Sequence, residues 1–188
     1  MTSTVTIVLA ALLTLFTFET SASRSTANRC EREIVSAARR HNVPVGILYS
    51  VGLAETGRKG SLHPYALNIE GKAVFARNMG EALKVFHRAR KQGRKLIDLG
   101  CMQINHYYHR DEFERLSAMF DPAKNVDYAA RFLASLRKRH SSWTMAVARY
   151  HAGPNNNPAQ KKYVCRVIGN LVATGYGQWT TQAKEFCK

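Results

Sequence analysis

Apolar positions recur along most of this chain at helical spacing. Behind Asn28 to Glu31, which has the spacing of a capping box, Ile34, Val35 and Ala38 form a stripe. That helix should stop near His41-Asn42, and Pro44 suits the first turn of the next. Val45, Ile47, Leu48, Val51, Leu53 and Ala54 make the second helix apolar almost all round, so it should be buried, ending at Gly57. Tyr65–Ile69 and Lys72–Phe75 flank Glu70-Gly71 and predict a short hairpin. A second capping-box spacing, Asn78 to Glu81, opens a helix with Ala82, Val85, Phe86 and Ala89 on one face, closed by Gly93. Leu96 to Ile104, with Gly100 at its centre, predicts a short strand. Asp121-Pro122 starts a helix with the stripe Val126, Ala129, Ala130, Leu133 and Leu136. Ser142 caps a helix from Trp143 to Tyr150, Gly153 to Asn157 is a loop, and Asn157-Pro158 starts a helix. That helix carries Tyr163, Val164, Val167, Ile168, Leu171 and Val172, and Gly175 ends it. The pattern predicts one compact, mainly α domain with a small β-hairpin, a size that 188 residues suit.

One segment stands outside this pattern. Val5 to Phe18 is apolar apart from scattered Thr, shorter than the roughly 20 residues of a membrane span. Ser21-Ala22-Ser23 follows, with small residues suited to cleavage. Residues 1–23 are therefore expected to be a secretory signal peptide and 24–188 the mature domain, with an uncleaved anchor as the alternative. No Lys or Arg precedes the apolar run, which departs from the usual signal pattern. No membrane span is expected after cleavage.

Charge then narrows the partners. The chain carries 28 Lys and Arg against 13 Asp and Glu, a formal net charge of +15. A charge this large implies an anionic partner. Export argues against nucleic acid, and the densest basic run, Arg88 to Lys95, interleaves no aromatic residue and is expected to be a solvated helix end. Four cysteines in an exported chain suggest disulfides, with three connectivities open. Cys101 is a candidate buried free thiol, whereas a bond among Cys30, Cys165 and Cys187 would tie the chain ends to the core. No CxxC spacing exists, His106 and His109 lack a third ligand at diagnostic spacing, and no metal or cofactor is expected.

Glu55 stands out as candidate chemistry. It is the only acidic residue between Glu33 and Glu70, and Val51, Gly52 and Leu48 share its helical face. Desolvation on such a face favours the protonated carboxyl that a general acid needs.

The segments around it carry a resemblance. Ala54-Glu55-Thr56-Gly57 resembles the Glu-Ser/Thr motif of lytic transglycosylases, the enzymes with a goose-type-lysozyme-like (SLT) domain. Gly100-Cys101-Met102-Gln103-Ile104-Asn105 is similar to the family's Gly-Leu-Met-Gln-Ile motif, and Ala148-Arg149-Tyr150-His151-Ala152-Gly153 to its Ala-Tyr-Asn-Ala-Gly motif. Tyr163-Val164 matches the last motif, a Tyr that hydrogen-bonds the catalytic Glu. The four occur in the family's order, from about Cys30 to Val172. Cys101 stands for Leu, Arg149 for Ala and His151 for Asn, and the 58–98 stretch is longer than in minimal members, as an insertion beside the cleft would be.

The resemblance implies a lysozyme-like fold and cleavage of peptidoglycan without a cofactor. Glu55 would act as single acid and base, with Tyr163 orienting it. Thr56, Met102, Gln103, Asn105, Tyr150 and His151 would bind substrate. Asp98, the nearest second acid, is read as structural. The alternatives are a hydrolytic muramidase of the same fold and a non-catalytic wall-binding protein. The resemblance further implies a periplasmic setting, with a flagellar or secretion-system assembly as a possible partner.

Overall fold

The computed structural model describes residues 29–58 and 60–188, so the expected leader lies outside the described residues. Twelve elements carry the architecture. In chain order they are α1 (Arg29–Arg40), α2 (Val45–Thr56), β1 (Ala66–Ile69), β2 (Lys72–Phe75), α3 (Met79–Lys91), β3 (Ile97–Leu99), β4 (Ile104–Asn105) and α4 (His106–His109). After two 3₁₀ turns, at Arg110–Glu112 and Leu116–Phe120, come α5 (Pro122–His140), α6 (Trp143–Ala152), α7 (Asn157–Ala173) and α8 (Thr181–Phe186). The chain is mainly α, as its periodicity predicts.

Side chains start most helices where the sequence places them. The Asn78 side chain accepts from Glu81 N, Asp121 from Ala123 N and Lys124 N, Ser142 from Met145 N, and Asn156 from Ala159 N. Each such cap is worth about 1 kcal/mol. The reciprocal arm of the Asn78 box differs from expectation: the Glu81 carboxylate accepts from Arg77 N.

Helix α2 is the axis of the helical layer, packed against α1 and α7, while α1 lies on α5, α5 on α6 and α6 on α7. Leu48 and Val51 on α2 are fully buried. Each contributes roughly 1.5–3 kcal/mol of transfer free energy. Gly52 lets the site loop approach, since a Cβ there would stand 2.6 Å from Leu62 Cδ2 and 3.1 Å from Met102 Sδ. On α1 the buried face is Ile34, Ala37 and Ala38, whereas Val35, expected in the stripe, is 42% exposed. Ala37 takes the place predicted for Val35, because the face that meets α5 is centred one helical step further round.

The hairpin is larger than expected. β1 and β2 pair antiparallel across Glu70-Gly71, both with positive φ, as a tight two-residue turn requires. β1 also pairs with β3, and β3 with β4, giving a four-stranded antiparallel sheet in the order β2-β1-β3-β4. The 58–98 stretch therefore supplies three of the four strands of one sheet. Ile97 and Leu99 of β3 turn into the core and Asp98 turns the other way, the alternation of a half-buried strand. The basic run at the end of α3 is exposed, with Arg94 paired to Glu70.

Two disulfides are formed, Cys30–Cys101 and Cys165–Cys187. This corrects the expectation of a free thiol at Cys101. Its burial is that of a half-cystine tying α1 to the loop between β3 and β4, while the second bond fastens the chain end to α7. Among the described residues no helix is long and apolar enough to cross a membrane.

Candidate active site

The loop Gly100–Gln103 between β3 and β4 is the hub. Gly100 has φ +79, and a Cβ on it would meet Asn125 Nδ2 at 2.6 Å and Met119 O at 2.7 Å, so only glycine fits. Asn125, fully buried on α5, accepts from Met102 N at 2.8 Å and donates to Leu99 O and Met119 O at 2.9 and 2.8 Å. Thr56 Oγ1, at the end of α2, donates to Cys101 O at 2.8 Å. Tyr150 Oη, on α6, donates to Met102 O at 2.8 Å. Three helices are thus fastened to consecutive residues of one loop.

Glu55 sits beside that junction with its side chain 12% exposed. Tyr163 Oη, from α7, donates to Glu55 Oε1 at 2.6 Å. Burial holds the Tyr163 phenol well above its ordinary value, reinforced by the charge of Glu55 and the bond to it, so it stays a donor. Burial does the same to Tyr150. The His151 ring stacks on Tyr163 at 4.2 Å between centroids, almost parallel, and its Nδ1 lies 3.6 Å from Glu55 Oε1. Among the described residues no donor reaches the second carboxyl oxygen, Oε2.

The other expected substrate residues hold the loop. The Met102 side chain is fully buried in the core. Thr56 is buried, its hydroxyl also accepting from His63 N. Gln103, with φ +47, turns its Nε2 back to Gly100 O and Ala66 O. Asn105 caps α4 through Tyr107 N and donates from Nδ2 to Asp98 Oδ1 at 2.6 Å. His151 is the one of this set with an exposed side chain beside Glu55.

Asp98 is what sequence reasoning placed outside the site. Asn68 and Asn105 flank it in register on β1 and β4, and Asn68 Nδ2 donates to its Oδ2 at 3.2 Å. Burial raises its affinity for a proton, and the charge of nearby Glu55 adds to this; Asn105, His151 and Asn68 oppose it. Asp98 therefore lies close enough to Glu55 and His151 to feel both. His106 packs against Phe86 and His109 bonds to Tyr128 Oη at 2.7 Å. Among the described residues no three His, Cys, Asp or Glu side chains are grouped to hold a metal ion.

This is a carboxyl group held by a buried tyrosine, at the junction of a helical layer and a small sheet. The Transglycosylase SLT domain matches residues 34–170. The chain belongs to the transglycosylase SLT family. Neither the curated proteins nor the solved structures give a match. The matched span starts on α1 and ends on α7, so it takes in Glu55, the hub loop and Tyr163. Membership in the SLT family implies a lysozyme-like fold and enzymatic action on peptidoglycan.

Proposed function

We propose that this SLT-domain protein is a lytic transglycosylase. It would cut the β-1,4 bond from N-acetylmuramic acid to N-acetylglucosamine and leave a 1,6-anhydromuramyl end. The observation that carries this reading is the 2.6 Å bond from Tyr163 to Glu55, which fixes one carboxyl oxygen and leaves the other for the sugar. Glu55 protonates the linking oxygen as the bond to the muramyl C1 breaks, and N-acetylglucosamine leaves with that proton. The muramyl N-acetyl group supports C1 while charge develops there. Glu55, now a carboxylate, takes the proton of the C6 hydroxyl, whose oxygen bonds to C1. Proton and electron pairs balance, the acid is regenerated and no water is consumed.

Tyr163 orients Glu55, and His151 stands in the position to contact the sugar beside it. Thr56, Met102, Gln103, Asn105 and Tyr150 act through the loop they hold. The net charge of +15 supports attraction to an anionic wall. Work on peptidoglycan calls for a periplasmic or extracellular place, and we propose the periplasm, reached by the leader over 1–23. Service to a flagellar or secretion apparatus that must pass the wall fits a small enzyme of this kind.

Digestion of purified sacculi, with products read by mass spectrometry, tests the reading. Anhydromuropeptides from the native chain and none from Glu55→Gln are expected. Reducing ends would make it a hydrolytic muramidase, and binding without soluble products would make it a wall-binding protein.

A further inference from the structure

The segment directly after Glu55 has no part in the reaction above, yet it is built with care. Arg58 N donates to Ser61 O at 2.9 Å and Ser61 N to Arg58 O at 3.2 Å, so the chain turns back on itself just past α2. His63 N then donates to the hydroxyl of Thr56, the residue next to Glu55. Arg58 and His63 meet on one side chain of β2. The Arg58 guanidinium carbon lies 5.2 Å from the centre of the Phe75 ring, and the His63 ring meets that ring edge-on at 5.1 Å.

Strand register fixes the direction in which this cluster looks. Phe75 pairs with Ala66, two residues before Asn68; Asn68 pairs with Asp98, and Asp98 with Asn105. Directly paired residues share a face of a sheet, as do residues two apart on one strand. Phe75 therefore stands on the face of Asn68, Asp98 and Asn105, opposite the face that Leu67 and Leu99 bury in the core. Arg58 is three residues after Glu55, so their Cα atoms are at most roughly 11 Å apart.

Arg40, Arg77, Arg94, Arg131 and Lys124 spend their charge on carboxylates of this chain. Arg58 is exposed, and among the described residues no carboxylate pairs with it and no acceptor meets its side chain. Covering Phe75 calls only for apolar surface. An arginine adds a planar fork of N–H donors that matches a carboxylate with two bonds, and the ring beneath it leaves those donors to a ligand. The sugar rings of a peptidoglycan strand are neutral, but the muramyl lactyl group carries a short peptide with free carboxylates. Two extended stem residues span about 7 Å, a length that suits the separation of Arg58 from Glu55.

We infer that Arg58, seated on Phe75, is a specificity residue that binds a carboxylate of the peptide stem on the glycan strand held at Glu55. The inference rests on the peptidoglycan reading of the site. It gives the start of the 58–98 stretch a role in recognition and leaves the bonds made and broken as given above.

Two soluble tetrasaccharides test it. Each has two repeats of N-acetylglucosamine and N-acetylmuramic acid, with L-alanyl-D-glutamate on both muramyl groups. In one the glutamate carboxyls are free, and in the other both are amides. Calorimetric titration into the chain carrying Glu55→Gln, which prevents turnover, should show the free acid bound about fivefold more tightly, the worth of one part-exposed ion pair. Adding Arg58→Gln should bring the two within twofold. Diffuse attraction to a chain of net charge +15 would instead leave the preference in place. A preference below twofold before Arg58→Gln, or one above twofold after it, overturns the inference. Should Arg58→Gln not fold, Phe75→Leu replaces it, keeping the charge and removing its seat; a halved preference is expected, and an undiminished one overturns the inference. Cleavage by the native chain reads the function separately. Anhydro products with no preference for the free acid overturn the inference and leave the function standing. No product from sacculi or from either tetrasaccharide overturns the function, and the binding ratio still decides the role of Arg58.

Discussion

Removing the Cys30–Cys101 bond by replacing both residues with Ala should be the most costly change that leaves every polar contact of the site in place. The bond closes a sequence separation of 71 residues, the Cys165–Cys187 bond one of 22. In the chain-entropy description the longer loop stabilises by about 4.4 kcal/mol at 25 °C and the shorter by about 3.4 kcal/mol. Alanine avoids placing hydroxyls in two positions that are fully buried. With a urea slope of about 2 kcal/mol per molar, the first pair should lower the unfolding midpoint by about 2 M and the second by about 1.7 M. A domain of this size has about 5–15 kcal/mol in all, so the first loss is a large share. The measurement is urea denaturation of both double variants beside native, followed by circular dichroism. The 30/101 pair should also lose activity below its unfolding transition, since Cys101 O receives the Thr56 hydroxyl next to Glu55. A loss below 1 kcal/mol for that pair, or a greater loss for the 165/187 pair, would refute the reasoning.

Three further outcomes are expected. Asn125→Ala strands Met102 N–H and the carbonyls of Leu99 and Met119, so about 3–5 kcal/mol of stability should vanish in thermal unfolding. Burial works to raise the Asp127 carboxyl, but hydrogen bonds and charge from His41 and Arg40 outweigh it and hold it below its ordinary value. A lowered carboxylate stabilises above its unfolded value and loses that contribution as pH falls through the folded one. Asp127→Asn should therefore cost about 0.5–1 kcal/mol at pH 7, the carboxylate being part-exposed, with the difference fading below about pH 4 in pH-dependent melts. Tyr163→Phe keeps the stack on His151 and removes only the donor to Glu55. The loss of a bond to a charged group, about 1.5–3 kcal/mol, should lower kcat on sacculi roughly 10–150-fold with the fold intact.

Much of this was legible in the residues. Pro44, Asp121 and Ser142 announced helix starts because caps are local chemistry, and the all-round apolar run Val45–Ala54 announced a central helix. Glu55 was legible because an acid on an apolar helical face is rare, and Tyr163 because its motif follows at the right order. What failed was non-local. Val35 sits on an exposed edge of α1 because the direction of α5 fixes the buried face, and periodicity alone does not carry that direction. β3 and β4 are three and two residues long on either side of the hub loop, and the apolar run Leu96–Ile104 read as a single short strand beside a hairpin. Misjudging the sheet hid the bonds from Asn68 and Asn105 to Asp98, which span 30 and 7 residues of the chain. The pairing of Cys30 with Cys101 was hidden for the same reason.

The hub loop explains why these non-local contacts bear on chemistry. Glu55 is on a helix and Asp98 on a strand, and the loop after Asp98, fastened to α1 by the Cys30–Cys101 bond, carries the contacts that join the two elements. Thr56 ties the residue after Glu55 to Cys101, and Asn125 and Tyr150 hold Met102 from two further helices. Gly100, with its positive φ, starts the turn two residues after Asp98. A shift of α2 against the sheet would have to break at least one of these buried bonds, each costing about 1–3 kcal/mol. The junction of α2 with the sheet is therefore fixed by buried bonds, which converge on Cys101 and Met102. His151, exposed beside Glu55, makes none of these bonds, so a substitution there leaves the junction in place.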